Sequence, residues 1–90
     1  MSRYILLFLL YFNKKGQISM NYKQIIGKNL QNARKAIKKL TQEKLATEMN
    51  TKQNIYSRYE TGQTELNYAQ IIYLCKRLDI TPNDLFEGTF

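Results

Sequence analysis

Residues 40–62 constrain the fold of this chain more than any other stretch, because they contain two helix starts with a sharp turn between them. Thr41 is a good N-cap, since its hydroxyl can accept a backbone N–H of the first helical turn. Asn50 tolerates the left-handed backbone conformation better than most residues other than glycine, so the chain can turn there. The sequence therefore predicts a helix from Thr41, a turn at Asn50, and a further helix that starts at Thr51 or Lys52 and ends at Gly62.

Both predicted helices have an apolar side and a polar side. Leu45, Ala46 and Met49 share the inward side of the first helix of this pair, and Tyr56 and Tyr59 share that of the second. The tyrosines combine an apolar ring with a polar tip, which suits the rim of a small core. The opposite side of the second helix is polar and carries Gln53, Asn54, Ser57 and Arg58.

An amphipathic helix precedes this pair. From Asn21 onward, apolar residues recur at steps of three and four, and they are Ile26, Leu30, Ala33, Ile37 and Leu40. The polar side of this helix is basic, and no acidic residue occurs between Met20 and Gln42. Such a face is either a solvated exterior or a surface for phosphate, and the pattern alone leaves both open.

Two further helices follow Gly62. The first spans about residues 67–78, and its predicted core residues are Tyr68, Ile71, Ile72, Leu74, Cys75 and Leu78. Residues 81–84 have the pattern of a capping box with Pro82 at the first helical position, which opens a short last helix that stops at Gly88. Tyr22, Tyr68 and Tyr73 are assigned to the core or its rim rather than to base stacking. The sequence predicts one compact all-α domain of five helices over residues 20–90.

Residues 1–19 differ from the rest and form an apolar N-terminal extension. The run 4–12 is apolar throughout, but as a helix it spans about 14 Å, against about 30 Å of bilayer hydrocarbon, and cannot cross a membrane. It can add to the core, offer a surface for dimerisation or membrane contact, or be translated upstream sequence. Residues 14–16 would have purine-rich codons of the ribosome-binding type, which favours a natural start at Met20 and an extension absent from the natural product.

The composition narrows the possible partners and activities. Fourteen Lys and Arg against 7 Asp and Glu give a net charge of +7, which attracts polyanions such as nucleic acid or an anionic membrane. A single cysteine and no histidine provide neither a disulfide nor a zinc cluster, so we expect a cytoplasmic protein without a metal. The chain also lacks a glycine-rich phosphate loop and a nucleophile–histidine pair, so we expect no enzyme, no cofactor and no small-molecule substrate.

Several motifs resemble the helix-turn-helix of the phage repressor and Cro family, also called the XRE family. TQEKLA at 41–46, Asn50 at the turn and SRYETG at 57–62 carry the resemblance. Arg34 and LCKRLDITPNDLF at 74–86 extend it, so that it covers about residues 22–88. This chain departs from the family by one extra residue between the first two helices and by having a lysine there in place of a common glycine. Less usual residues also stand at positions 51, 52 and 56.

The resemblance implies that the third helix enters the major groove of DNA. The residues that match the family's base-contacting positions are Lys52, Gln53, Asn54, Ser57 and Arg58. Gln42, at a helix N-terminus, is placed to meet a phosphate, although its position also suits an ordinary exposed residue of the first turn. Arg34 and Glu60 match an ion pair that braces the first helix against the third. The implied function is a sequence-specific regulator of transcription, a repressor that occupies a double-stranded DNA operator as a homodimer.

Two alternatives from other classes remain. An antitoxin-like or adaptor module would use the same fold to bind a protein partner. Association with a membrane surface through the run 4–12 is a weaker alternative. DNA binding should weaken steeply with added salt, which separates it from the first alternative.

Overall fold

The structure is a computed structural model that describes residues 21–90. The predictions for the extension 1–19, for the apolar run 4–12 and for a start at Met20 lie outside the described residues.

Five helices make up the described part of the chain, and residues 21–90 contain no strand. They are α1 (Tyr22–Lys35), α2 (Gln42–Glu48), α3 (Gln53–Thr61), α4 (Tyr68–Leu78) and α5 (Pro82–Phe86). The predicted all-α fold is confirmed. Within residues 21–90, none of the helices has the length and apolar character needed to cross a bilayer.

Side-chain caps start four of the five helices. The side chains of Asn21, Thr41, Asn67 and Thr81 each accept the backbone N–H three residues later. Helix α3 is the exception, because its N-cap is Lys52 and no side chain caps it. The predicted start at Thr51 or Lys52 is therefore slightly early.

The neighbouring residue Thr51 does not cap α3 either. Its backbone N–H donates to the carbonyl of Ala46 at 2.9 Å, so Thr51 belongs to the turn that closes α2. The other end of α3 follows the prediction, with Gly62 in the left-handed conformation at φ 81°.

Helix α1 is shorter than the periodicity predicts. It ends at Lys35, and a tight turn follows in which the N–H of Ile37 donates to the carbonyl of Arg34 at 3.1 Å. Ile37 and Leu40 therefore are not on the helix, although Leu40 is still buried at 6% exposure. Ile37 and Leu40 continue the apolar spacing of α1 because the turn that contains them also packs against the core.

All five helices contribute to the core. Its buried apolar side chains are Leu30, Leu40, Leu45, Ala46, Tyr56, Leu74, Cys75, Leu78 and Leu85. The prediction of core residues is wrong at two positions of α4, because Tyr68 is 86% exposed and Ile72 is 55% exposed. Tyr68 is the first residue of α4, beyond the end of the core, and Ile72 lies on a flank beside the buried stripe of the helix. Tyr22 and Tyr73 are also exposed, at 53% and 37%, so none of the three tyrosines that were assigned to the core or its rim belongs to the buried core.

Helices α1 and α3 pack closely at Gly27. A Cβ atom at this position would lie 2.4 Å from the carbonyl oxygen of Glu60 and 2.6 Å from that of Tyr59. Both neighbours are backbone atoms and cannot move aside without shifting α3. Glycine is therefore required where α1 crosses α3.

We expect Gly27→Ala to destabilise the domain by about 1–3 kcal/mol, because the added methyl group forces the two helices apart. Urea unfolding measures this change. Gly88→Ala is the matched control, since a Cβ there meets only the Ile25 side chain at 3.4 Å and the cost comes from its φ of 89° alone. A Gly27→Ala domain as stable as the wild type would contradict the close packing of α1 on α3.

Candidate nucleic-acid interface

A tight turn fixes the path from α2 to α3. Asn50 has a φ of 56°, as its position in the sequence predicts, and its N–H donates to the carbonyl of Thr47 at 3.0 Å. Ala46 is 1% exposed at this junction, where a larger side chain would separate the helices. The turn thus holds α3 at a defined angle to α2.

The side chains predicted to contact bases lie together in the first two turns of α3. Lys52, Gln53, Asn54 and Arg58 are exposed, and Ser57 is half-buried. Tyr56, at 0% exposure, anchors the opposite side of the helix in the core. The structure therefore presents these five polar side chains at one end of a firmly packed helix.

A buried ion pair joins α1 to α3, as the resemblance to the phage repressor and Cro family implies. Arg34 donates from Nε to Glu60 Oε2 at 2.6 Å and from Nη2 to Glu60 Oε1 at 3.2 Å. The two side chains are 9% and 1% exposed. Arg34 also donates from Nη1 to the carbonyl of Leu40 at 3.0 Å, which ties the turn after α1 into the same arrangement.

The environment of the pair keeps both groups charged. Burial on its own would raise the pKa of Glu60, but hydrogen bonds from Arg34 and Gln42 hold the pKa of this carboxyl below its usual value. The hydrogen bond to Glu60 raises the pKa of Arg34. Glu60 is therefore an acceptor with no proton to donate.

The hydroxyl group of Tyr56 lies close to this pair. This hydroxyl is buried and has no hydrogen-bond partner. Burial and the negative charge of Glu60 raise the pKa of Tyr56, so the phenol stays neutral.

Two glutamines extend the ion pair to the protein surface. Gln42 donates from Nε2 to Glu60 Oε1 at 2.8 Å, and Gln53 donates from Nε2 to Gln42 Oε1 at 2.8 Å. We call Arg34, Glu60, Gln42 and Gln53 the amide relay. Gln42 was predicted either to meet a phosphate or to be an ordinary exposed residue of the first helical turn, and its hydrogen bond with Gln53 was not predicted. The signal for it was a glutamine at the first position of both α2 and α3.

The amide relay has a fixed direction because its buried end can only accept. Glu60 requires the NH₂ group of Gln42 to face it, so the Gln42 carbonyl oxygen faces Gln53. Gln53 must then donate one N–H to Gln42. This leaves Gln53 with one free N–H and its carbonyl oxygen at the exposed start of α3.

The described residues offer no obvious metal site. Within residues 21–90, no three His, Cys, Asp or Glu side chains come together as metal ligands could. Cys75 is buried, and its burial raises the pKa of the thiol, as for a core residue.

We expect Arg34→Met to cost about 3–5 kcal/mol of folding free energy, because it leaves the Glu60 carboxylate buried without its cation. The double variant Arg34→Met/Glu60→Met should recover most of that loss, since it removes both charges and fills the space. Urea unfolding of the three proteins measures the difference. A double variant as unstable as Arg34→Met would show that the pair does not act as a unit.

The pH dependence of stability gives the same pair a second readout. A carboxyl with a lowered pKa in the folded state stabilises above its unfolded pKa of about 4.3, and this contribution is lost as pH falls through the folded value. The free energy of unfolding of the wild type should therefore fall in acid relative to that of the Arg34→Met/Glu60→Met variant. A difference between the two proteins that is independent of pH below about 4.3 would contradict an ionised Glu60.

Comparison with known proteins agrees with this geometry. A family model described as helix-turn-helix matches residues 30–85, which include all of α2, α3 and α4. Searches of curated proteins and of solved structures found no match. The matched region contains the turn at Asn50 and the polar start of α3. The chain belongs to the helix-turn-helix family of Cro/C1 (XRE) type, a family of DNA-binding domains that are not enzymes.

Proposed function

We propose that this protein is a sequence-specific regulator of transcription, a cytoplasmic repressor that contacts base edges in the major groove with the start of α3. The observation that carries the proposal is the amide relay, in which Gln42 donates to buried Glu60 and Gln53 donates to Gln42, so that the orientation of the exposed Gln53 amide is fixed. A preorganised side chain loses little conformational entropy when it binds.

The free atoms of Gln53 match adenine better than guanine. In the major groove, adenine presents N7 as an acceptor and its N6 amino group as a donor, whereas guanine presents two acceptors. Gln53 has one N–H left to donate and one carbonyl oxygen to accept. It therefore pairs with adenine through two hydrogen bonds and with guanine through only one.

The other side chains at the start of α3 add contacts of different chemistry. Arg58 has the donor geometry for the two acceptors of guanine, and Asn54 can pair with adenine. Lys52 and Ser57 add donors to bases or phosphates. Gln42 has one N–H beyond its bond to Glu60, and this N–H is available for a backbone phosphate.

Dimerisation and repression complete the proposal. A single α3 contacts only a few base pairs, so two copies on half-sites about one helical turn apart give a longer and more selective site. Occupying such an operator blocks transcription without a catalytic step, a cofactor or a small-molecule substrate.

Selection of binding sites from random duplexes, followed by gel shifts with variants, tests the assignment of α3. We expect Gln53→Ala and Asn54→Ala each to lose about 1–3 kcal/mol of discrimination, confined to one base pair of each half-site. Asn83→Ala in α5 is the matched control and should leave affinity and preference unchanged, because this exposed residue lies outside α3. Unchanged base preference in both α3 variants would rule out their role as base contacts.

Salt dependence separates this function from a protein-interaction module. We expect the logarithm of the DNA affinity to fall linearly with the logarithm of salt concentration, with a slope of about −0.9 for each neutralised phosphate. Fluorescence anisotropy with a selected duplex measures it. The absence of DNA binding at low salt, together with salt-tolerant capture of a folded protein partner, would favour the antitoxin-like or adaptor alternative.

A further inference from the structure

Lys39 is held in a backbone conformation that its own side chain does not favour. Among residues 21–90, three non-glycine residues have positive φ angles, and they are Lys39 at 66°, Asn50 at 56° and Asp79 at 55°. Asn and Asp are enriched in this region because their short polar side chains bond to the nearby backbone, but lysine has no such compensation. Lys39 therefore stores local strain.

The turn around Lys39 is tied to the buried ion pair. The N–H of Leu40 donates to the carbonyl of Ile37 at 3.2 Å, and the carbonyl of Leu40 accepts from Arg34 at 3.0 Å. Because Arg34 also holds Glu60, the turn has a fixed position relative to α3. Strain that the surroundings enforce in this way is typical of functional positions.

Lys39 borders the same concavity as two of the proposed DNA contacts, Gln42 and Gln53. This shallow depression has a volume of about 500 Å³, and its lining includes Lys35 and Lys39 together with Gln42 and Gln53. Lys35 is the last residue of α1, so the end of α1 and the strained turn bring the two lysines to one surface.

The charges that line this concavity are unequal. Arg34 lines it but is already paired with Glu60, and Glu43 contributes one carboxylate. Neither Lys35 nor Lys39 forms a salt bridge with another residue of 21–90. Two uncommitted ammonium groups against one carboxylate leave a net positive surface next to Gln53.

We propose that Lys35 and Lys39 form a clamp for a phosphate group of the DNA backbone, adjacent to the base that Gln53 contacts. This inference rests on the proposed function. A flexible ammonium group binds phosphate as a point charge and releases a counterion when it does so. The clamp accounts for the lysine at a position where glycine would relieve the strain, since glycine would remove the charge.

Substitutions at Lys39 separate the charge from the backbone strain. Lys39→Gln removes the charge and keeps the strain, whereas Lys39→Gly removes both. Lys35→Gln tests the second half of the clamp. Lys76→Gln in α4 is the matched control, because it makes the same change in net charge at an exposed residue that does not line the concavity.

Fluorescence anisotropy across a salt series, with a duplex selected by the wild-type protein, measures the effect. We expect Lys39→Gln, Lys39→Gly and Lys35→Gln each to reduce the magnitude of the salt slope by up to about 0.9, with base preference unchanged. Lys76→Gln should retain the wild-type slope. In thermal unfolding, the Tm of Lys39→Gly should be roughly 4 °C higher than that of Lys39→Gln, because glycine relieves the strain.

Lys39 and Lys35 variants that keep the wild-type slope would overturn the clamp while leaving the proposed function intact. Slopes reduced equally in Lys76→Gln would also overturn it, since net charge alone would then explain the loss. A wild-type protein that binds no duplex at low salt would instead overturn the proposed function, and the clamp with it.

Discussion

The buried ion pair between Arg34 and Glu60 is the interaction on which the arrangement of the helix-turn-helix depends. It joins α1 to α3 at the point where Gly27 allows their backbones to approach. A buried ion pair often adds little net stability compared with apolar residues of the same size, because desolvation offsets the attraction. In this protein the pair sets the position of α3. It also keeps Glu60 charged, and the charged carboxylate orients the neighbouring amides.

The same pair organises both ends of the proposed DNA-binding surface. Through Gln42, Glu60 determines which atoms Gln53 presents, and through Leu40, Arg34 holds the strained turn that carries Lys39. Base contact and phosphate contact would thus share one buried anchor. A rigid anchor suits recognition, because α3 must approach the groove at a fixed angle for its side chains to meet particular bases.

Local rules were sufficient to predict most of the fold. Thr41, Asn50 and Gly62 act within a few residues of their own position, through capping or backbone conformation, and each behaves as predicted. The start of α3 was less predictable because Lys52 supplies no cap. Tyr68 was misassigned because periodicity identifies an apolar side but does not show how far along a helix the core extends.

The candidate site was predictable in its residue types but not in its connections. The polar start of α3 follows from periodicity, whereas the bond between Gln42 and Gln53 joins residues 11 positions apart and depends on the angle of the turn. The position of Lys39 depends likewise on a backbone strain that sequence spacing does not reveal.

A map of backbone amide NMR shifts, recorded as a selected DNA duplex is added to the protein, tests most directly whether α3 and the turn around Lys39 bind DNA. We expect perturbations to concentrate at the start of α3 and in the turn around Lys39, and the exposed flank of α4 at Ile72 to stay unchanged. Perturbations centred on α4 and α5, with α3 unaffected, would contradict it.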